Sequence, residues 1–280
     1  MPSKWMLKQV QHDRAEELSD TMDQPARILI IAGSDSSGGA GIQADIKTVT
    51  MLGGYAMTAI TAITAQNTLG VSAVHPIPTD MVVAQIDACL SDIGADAVKI
   101  GMLGSAETAT AVANRLAELD IPIIFDPVMV ATSGALLADE ATRKAFERLL
   151  SIASIVTPNL PELDALGGRE AILDYGCHLV IKGGHGDGEI LRDELWSPAG
   201  LIHWLEGKRI DTDDTHGTGC TLASVLACRL GQGFSAKDAF NDAVRFVRLA
   251  ILEAPGFGAG HGPLGHHAVC LDPPPASGRG

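Results

Sequence analysis

The chain has 280 residues, 46% of them hydrophobic, enough to bury a substantial core. Against 34 acidic residues stand only 20 basic ones, and the net charge of −14 offers neither DNA nor an anionic lipid surface a complementary face. Aromatic residues make up 4%, which argues against a stacking platform for single-stranded nucleic acid.

Cys89, Cys177, Cys220, Cys228 and Cys270 contain no CxxC pair and read as a reduced, intracellular set, not as a disulfide frame or a zinc site. No apolar run approaches the about 18 residues of a membrane span. Residues 1–26 lack the apolar stretch of a signal peptide, and their acidic residues are unlike a mitochondrial-type presequence. The expectation is a cytoplasmic protein with no membrane or nucleic-acid partner.

Structured sequence is expected from Arg27. RILIIAG (27–33) is short, β-branched and apolar on both faces, as a central parallel strand should be. A glycine-rich turn, GSDSSGGAG (33–41), leads into helical spacing over 42–52, and 55–68 has strand character. Thr79 is expected to cap a helix over 81–93, with Asp80 in its first turn. Strand 95–101, helix 105–119, strand 121–128, helix 138–150, strand 154–159 and strand 178–184 continue the alternation. Two antiparallel strands, 189–197 and 201–207, and two helices, 217–233 and 235–254, complete it. Strands alternating with helices across short loops define an α/β class with a mainly parallel sheet covered on both faces. No linker divides the chain, so one domain is expected over 27–269, between an N-terminal extension (1–26) and a Pro/Gly-rich tail (270–280), both expected to be disordered.

The turn at 33–41 fits neither a GxGxxG register nor a P-loop, because Ile46 stands where a P-loop needs glycine before Lys47. It remains either a tight turn or a ligand loop at a sheet edge, flanked by Asp35 and Asp45. DTDDTHGTGC (211–220) is more specific. Gly217, Thr218 and Gly219 can bring backbone N–H groups together at the positive end of a helix, an anion hole for a transferred phosphoryl group. Cys220 follows in the first turn, as a base or nucleophile or as a structural cysteine. Asn159 and Glu162 have capping-box spacing, and could also serve a phosphate and a magnesium ion held through water. Lys182 closes an apolar strand before two glycines, where a cation would suit a nucleotide phosphate. His261, His266 and His267 cluster near the end without a partner carboxylate or thiol.

Taken in order, AGSDSSGGAGIQADIKT (32–48), ITAQNT (63–68), KIGMLGS (99–105), DPVMVATSG (126–134), TPNLPEL (157–163), VIKGGH (180–185) and DTHGTGCTLAS (214–224) closely resemble the hydroxymethylpyrimidine/phosphomethylpyrimidine kinases of thiamine biosynthesis, in the ribokinase superfamily. The resemblance covers roughly 27–267. It implies a three-layer αβα sandwich, a homodimer, and MgATP-dependent phosphorylation of a hydroxymethylpyrimidine and then of its monophosphate; a monovalent-cation requirement is left open.

By the same resemblance, Gly33, Ala40 and Asp45 would border the pyrimidine, Gln66 would hydrogen-bond its ring and amino group, and Met102 and Val128 would pack on it. Cys220 would be catalytic with the Gly217, Thr218 and Gly219 turn. Lys182, Asn159 and Thr215 would serve ATP, and Glu162 magnesium. Two departures stand out: the segment 164–179 is short for the family, as though a helix had been deleted, and the N-terminal extension has no counterpart. Pyridoxal kinase and a non-catalytic pyrimidine sensor are the alternatives. A nicotinamide oxidoreductase is disfavoured by the missing glycine fingerprint.

Overall fold

The computed structural model describes residues 24–130, 137–185 and 188–271. In chain order its first elements are β1 (Arg27–Asp35), α1 (Gly41–Met51), β2 (Tyr55–Asn67), β3 (Gly70–Pro76), α2 (Thr79–Asp92), β4 (Ala97–Ile100) and α3 (Ala106–Leu116). There follow β5 (Ile123–Phe125), α4 (Glu140–Leu150), β6 (Ile155–Val156), α5 (Leu160–Ala165), α6 (Gly168–Leu173) and β7 (His178–Ile181). Last come β8 (Ile190–Ser197), β9 (Gly200–Lys208), α7 (Thr218–Gly231) and α8 (Ala236–Leu252).

The nine strands form one sheet in the order β3-β2-β1-β4-β5-β6-β7-β8-β9. Strands β2, β1, β4, β5, β6 and β7 are parallel; β3 pairs antiparallel at one edge, and at the other β8 runs antiparallel between β7 and β9. The period-two geometry of β1 splits its apolar run between two layers. Ile28, Ile30 and Ala32 pack with residues of α1, α7 and α8, and Leu29 and Ile31 pack with α2, α3 and α4. That two-sided burial is why the segment shows no polar alternation, and it gives the three-layer αβα sandwich.

Differences from the expected elements have local causes. Thr79 does not cap α2: Pro78 holds that position without a side-chain cap, and the Thr79 hydroxyl lies 3.0 Å from that of Thr108. Strand β3 was not foreseen because most of its residues are exposed and carry no alternating apolar signal. The short segment after PNLPEL still contains a helix, α6, entered through Gly167 and Gly168 at φ 89° and 90°. The glycine-rich stretch 255–269, by contrast, is packed: Leu264, His266 and Val269 are buried. The expected disordered segments lie outside the described residues except for 24–26 and 270–271, of which Ala26 is buried.

Between β1 and β4 the chain changes the direction in which it adds strands, and the carboxyl ends of the strands there form a crevice. One ion pair ties the elements beneath it. Lys99 of β4 donates to Asp45 of α1 at 2.8 Å, both side chains fully buried, and Ser224 of α7 donates to the other Asp45 oxygen at 2.7 Å. Burial works against the Lys99 charge, but the carboxylates of Asp45 and Asp126 more than offset it and raise its affinity for the proton. Removing one partner strands the other, so Lys99→Met or Asp45→Leu alone should cost about 3–5 kcal/mol, and the double variant distinctly less than their sum. Urea unfolding midpoints of the four proteins test this.

Candidate active site

The glycine turn after β1 is organised by one carboxylate. Asp35 accepts hydrogen bonds from the Ser37 amide (2.8 Å) and hydroxyl (2.7 Å) and from the amides of Gly39 (3.1 Å) and Ala40 (2.8 Å), and it meets His216 Nε2 at 2.8 Å. Burial alone would raise its pKa; the bonds from His216, Ser37 and the Ala40 amide outweigh burial and bring it down to about 2. Asp35 is thus committed to the turn, not to solvent. Glycine is needed here for contact: a Cβ on Gly41 would come 2.3 Å from the Gly33 carbonyl, and one on Gly39 2.4 Å from the His216 ring.

The second glycine turn docks on the first. Gly217 precedes α7 at φ 90°, and a Cβ there would lie 1.9 Å from the Gly39 carbonyl oxygen. The first amides of a helix lack intrahelical partners; that of Thr218 bonds the Thr215 carbonyl at 3.3 Å, which leaves those of Gly219 and Cys220 on the cavity wall for a ligand. Gly219 lies against the charged pair: its missing Cβ would sit 3.2 Å from Lys182 Nζ and 3.5 Å from Asp126 Oδ2.

Lys182, at the end of β7, donates to Asp126 at 3.0 Å, and the Thr157 hydroxyl donates to the same oxygen at 2.9 Å. Beside them Asn159 and Glu162 form the full capping box of α5: the Glu162 amide donates to Asn159 (2.8 Å) and the Asn159 amide to Glu162 (2.9 Å). The structural and functional readings of this pair coexist, since both residues also line the cavity. Burial raises the Glu162 pKa, opposed by Lys182 and reinforced by Asp126. No group of three His, Cys, Asp or Glu side chains that could hold a metal occurs among the described residues, including around His261, His266 and His267. His266 is buried, 2.8 Å from the Thr221 hydroxyl, and burial lowers its pKa to about 4.

A cavity of about 1160 Å³ joins these parts, above the usual range for one small ligand and wide enough for two substrates. Thirteen of the fourteen site residues expected from sequence line it: Gly33, Ala40, Gln66, Met102, Val128, Asn159, Glu162, Lys182, Thr215, Gly217, Thr218, Gly219 and Cys220. Asp45 does not. Both its oxygens are engaged behind the wall, and Lys99 lines the cavity in its place. Lys99, Asp126 and His216 were missed as site residues. A lysine inside the otherwise apolar strand AVKI and an aspartate directly after IIF were available signals. Part of DPVMVATSG (residues 131–134) lies outside the described residues.

The helix start does not activate Cys220 at rest. Burial pushes its thiol up to about 11, with Asp45 and Asp126 adding to that and Lys99 and the Gly41 amide opposing.

Open amides at a helix start, a strand-end lysine and a cavity at the switch point of a doubly wound sheet are the features of a ribokinase-like fold. Residues 35–265 match the profile of the phosphomethylpyrimidine kinase family, and the chain belongs to that family. It is 43% identical over 256 residues to a hydroxymethylpyrimidine/phosphomethylpyrimidine kinase of Streptomyces coelicolor, covering 86% of this chain and 94% of the relative. Similarity also extends to the ThiED thiamine biosynthesis proteins of Corynebacterium efficiens (40% identity, 92% of this chain) and Geobacter sulfurreducens (45%, 88%), of whose longer chains it spans 38% and 53%. Among solved structures, the Bacillus subtilis pyridoxal kinase ADP complex superposes with a TM-score of 0.80 at 34% identity, covering 88% of this chain and 98% of the other. A Clostridium difficile phosphomethylpyrimidine kinase gives 0.70 at 37%, with 81% and 99% covered. No helix among the described residues is long and apolar enough to cross a membrane.

Two outcomes are expected. Alkylation of Cys220 at pH 7 should be slower than that of an ordinary free thiol by about two orders of magnitude and should climb steeply above pH 9, as peptide mapping after iodoacetamide treatment would record. Asp35 has a depressed pKa, so its stabilisation is present above its unfolded value near 4 and fades as pH falls toward 2. Asp35→Asn should therefore cost about 2 kcal/mol at neutral pH, with the deficit shrinking below about pH 4 in urea titrations.

Proposed function

We propose that the chain phosphorylates 4-amino-5-hydroxymethyl-2-methylpyrimidine with ATP, first on the hydroxymethyl group and then on the resulting phosphate, for thiamine biosynthesis. The observation that carries this reading is that one cavity collects the Gly217–Gly219 turn, Lys182 and Cys220 together with Gln66, Met102 and Val128. The first set suits phosphoryl transfer and the second a flat heterocycle bearing hydrogen-bonding edges. We infer the catalytic unit to be a single domain over 27–269, working in the cytoplasm. Five free cysteines among the described residues favour a reducing compartment. A homodimer is also part of the proposal.

In the first transfer the substrate hydroxyl oxygen attacks the terminal phosphorus of ATP, the bond to the ADP oxygen breaks, and the hydroxyl proton must leave. Catalysis of such a loose transfer is mostly positioning and charge neutralisation. The amides of Gly219 and Cys220 and the Lys182 ammonium receive the transferring oxygens. Lys182 stays protonated because the attraction of Asp126 and Glu162 outweighs its burial. Asn159 and Thr215 lie where they can steady the nucleotide phosphates. Magnesium bound with the nucleotide would supply further charge neutralisation. The residues fit an ion held mainly by phosphate and water, with Glu162 and Asp126 behind it, because they do not build a protein-only cage.

Cys220, a neutral thiol at rest, accepts a hydrogen bond from the substrate hydroxyl, and the proton passes late, as the new P–O bond forms, to an oxygen of the transferring phosphoryl group. The second transfer needs no such help, since a phosphate monoester is already ionised near neutral pH. Cys220→Ala should consequently lose most of kcat in the first step, by about a hundredfold or more, while the second step falls less and pyrimidine affinity persists. Unchanged turnover of the alcohol would remove Cys220 from the mechanism.

Pyridoxal phosphorylation is the second reading, favoured by the closeness of the fold to a pyridoxal-bound Staphylococcus aureus pyridoxal kinase (TM-score 0.78, 33% identity). ATP turnover with hydroxymethylpyrimidine, its monophosphate and pyridoxal side by side, with products resolved by mass, separates the two. Diphosphate formation is the expected result, and turnover of pyridoxal alone would overturn the proposal. Absence of any turnover would instead favour a sensor.

A further inference from the structure

Gln66 sits at the join of the two glycine turns, and its contacts determine which way its carboxamide faces. Its main chain is pinned to the first turn, because Ser36 Oγ donates to the Gln66 carbonyl and accepts from the Gln66 amide, both at 2.8 Å. Its Nε2 lies 3.2 Å from His216 Nε2 and its Oε1 accepts from Thr64 Oγ1 at 3.2 Å, two atoms that a half-turn of the carboxamide exchanges. His216 Nε2 in turn meets Asp35 at 2.8 Å, and Thr64 Oγ1 donates to the Ser34 carbonyl at 2.9 Å.

Proton counting separates the two carboxamide orientations. Asp35 is ionised at neutral pH and can only accept, so His216 Nε2 must carry a hydrogen. With the Gln66 amide nitrogen toward His216, donor faces donor, and the single Thr64 proton is claimed by both the Gln66 oxygen and the Ser34 carbonyl. With the oxygen toward His216 and the nitrogen toward Thr64, every contact pairs: His216 N–H is shared between Asp35 and Gln66 Oε1, Gln66 N–H donates to Thr64, and Thr64 donates to Ser34.

We infer that Asp35, His216 and Thr64 are positioning residues that lock Gln66 in this second orientation, so that it offers the cavity one N–H donor and one carbonyl lone pair in fixed order. The complementary ligand edge is an amidine, a ring nitrogen acceptor beside an exocyclic amine donor. A heterocycle with the reverse order, a ring N–H beside a carbonyl, would meet like with like at both contacts. The order of the Gln66 groups, and not the mere presence of an amide, then discriminates among substrates. This deepens the kinase reading and rests on it for placing Gln66 against the substrate ring.

The test is equilibrium binding, measured calorimetrically, of 4-amino-5-hydroxymethyl-2-methylpyrimidine and of its 4-oxo counterpart. The unmodified protein should bind the amino compound at least about thirtyfold more tightly, because two unpaired buried contacts oppose the other. His216→Phe and Thr64→Val, each lacking one pin, should reduce that ratio by about tenfold. His216→Gln, which returns an N–H near the imidazole Nε2, should restore it. Only folded protein binds, so the ratio is insensitive to partial misfolding, and if one variant does not fold the other reads the same quantity. A role confined to folding would weaken both ligands alike. The inference is overturned if the unmodified protein shows no preference, or if the variants keep its ratio. Preferential binding of the amino compound without its phosphorylation would overturn the kinase reading alone.

Discussion

The geometry of the site rests on a charge pair set at and behind the cavity wall. Asp45 on α1, Lys99 on β4 and Ser224 on α7 meet in the dry interior, so the two helices whose first turns form the cavity floor are bound to the same strand. Such a pair adds little net stability over a well-packed apolar replacement. Its value lies in register. Two helix starts entering from distant parts of the chain, 41 and 218, must arrive close enough for Gly217 to pack on the Gly39 carbonyl. Apolar contacts tolerate a small slide, whereas a buried carboxylate bonded at both oxygens does not.

A net charge of −14 is compatible with handling a polyanion because the positive potential is local. Lys182 and Lys99 are both withdrawn from bulk water, where screening is weak, and each is balanced by a neighbouring carboxylate, so neither spreads a basic patch over the surface. In the proposed reading Lys182 shares phosphate recognition with amides that cannot be titrated away. The acidic exterior and the phosphate site are therefore independent features of the molecule.

Much of this was legible in the sequence where a residue's reason is local. The apolar run 27–33 could only be a central strand, and Asn159 and Glu162 could be read as a capping box from their spacing alone. The GTGC turn announced a helix start with open amides. What stayed hidden depends on partners remote in sequence. Asp45 looked like a loop-flanking acid because nothing local reveals that Lys99, 54 positions on, claims it. Nothing within DTHGTGC singles out His216, since its partners Asp35 and Gln66 come from β1 and β2. The capping error at Thr79 has the same root: a hydroxyl expected to serve its own helix instead faces Thr108 on the next. β3 escaped for the opposite reason, being held by main-chain pairing with an exposed face that leaves no pattern to read.

The protonated state of Cys220 has a bearing on life in an oxidising world. Peroxides attack thiolates, and a thiol held near a pKa of 11 presents almost none at physiological pH. A cysteine placed where chemistry happens would ordinarily be the first casualty of oxidative stress. On the proposed reading, the low thiolate fraction that makes Cys220 a reluctant base also slows sulfenic acid formation, so activity should outlast that of enzymes built on an activated thiolate.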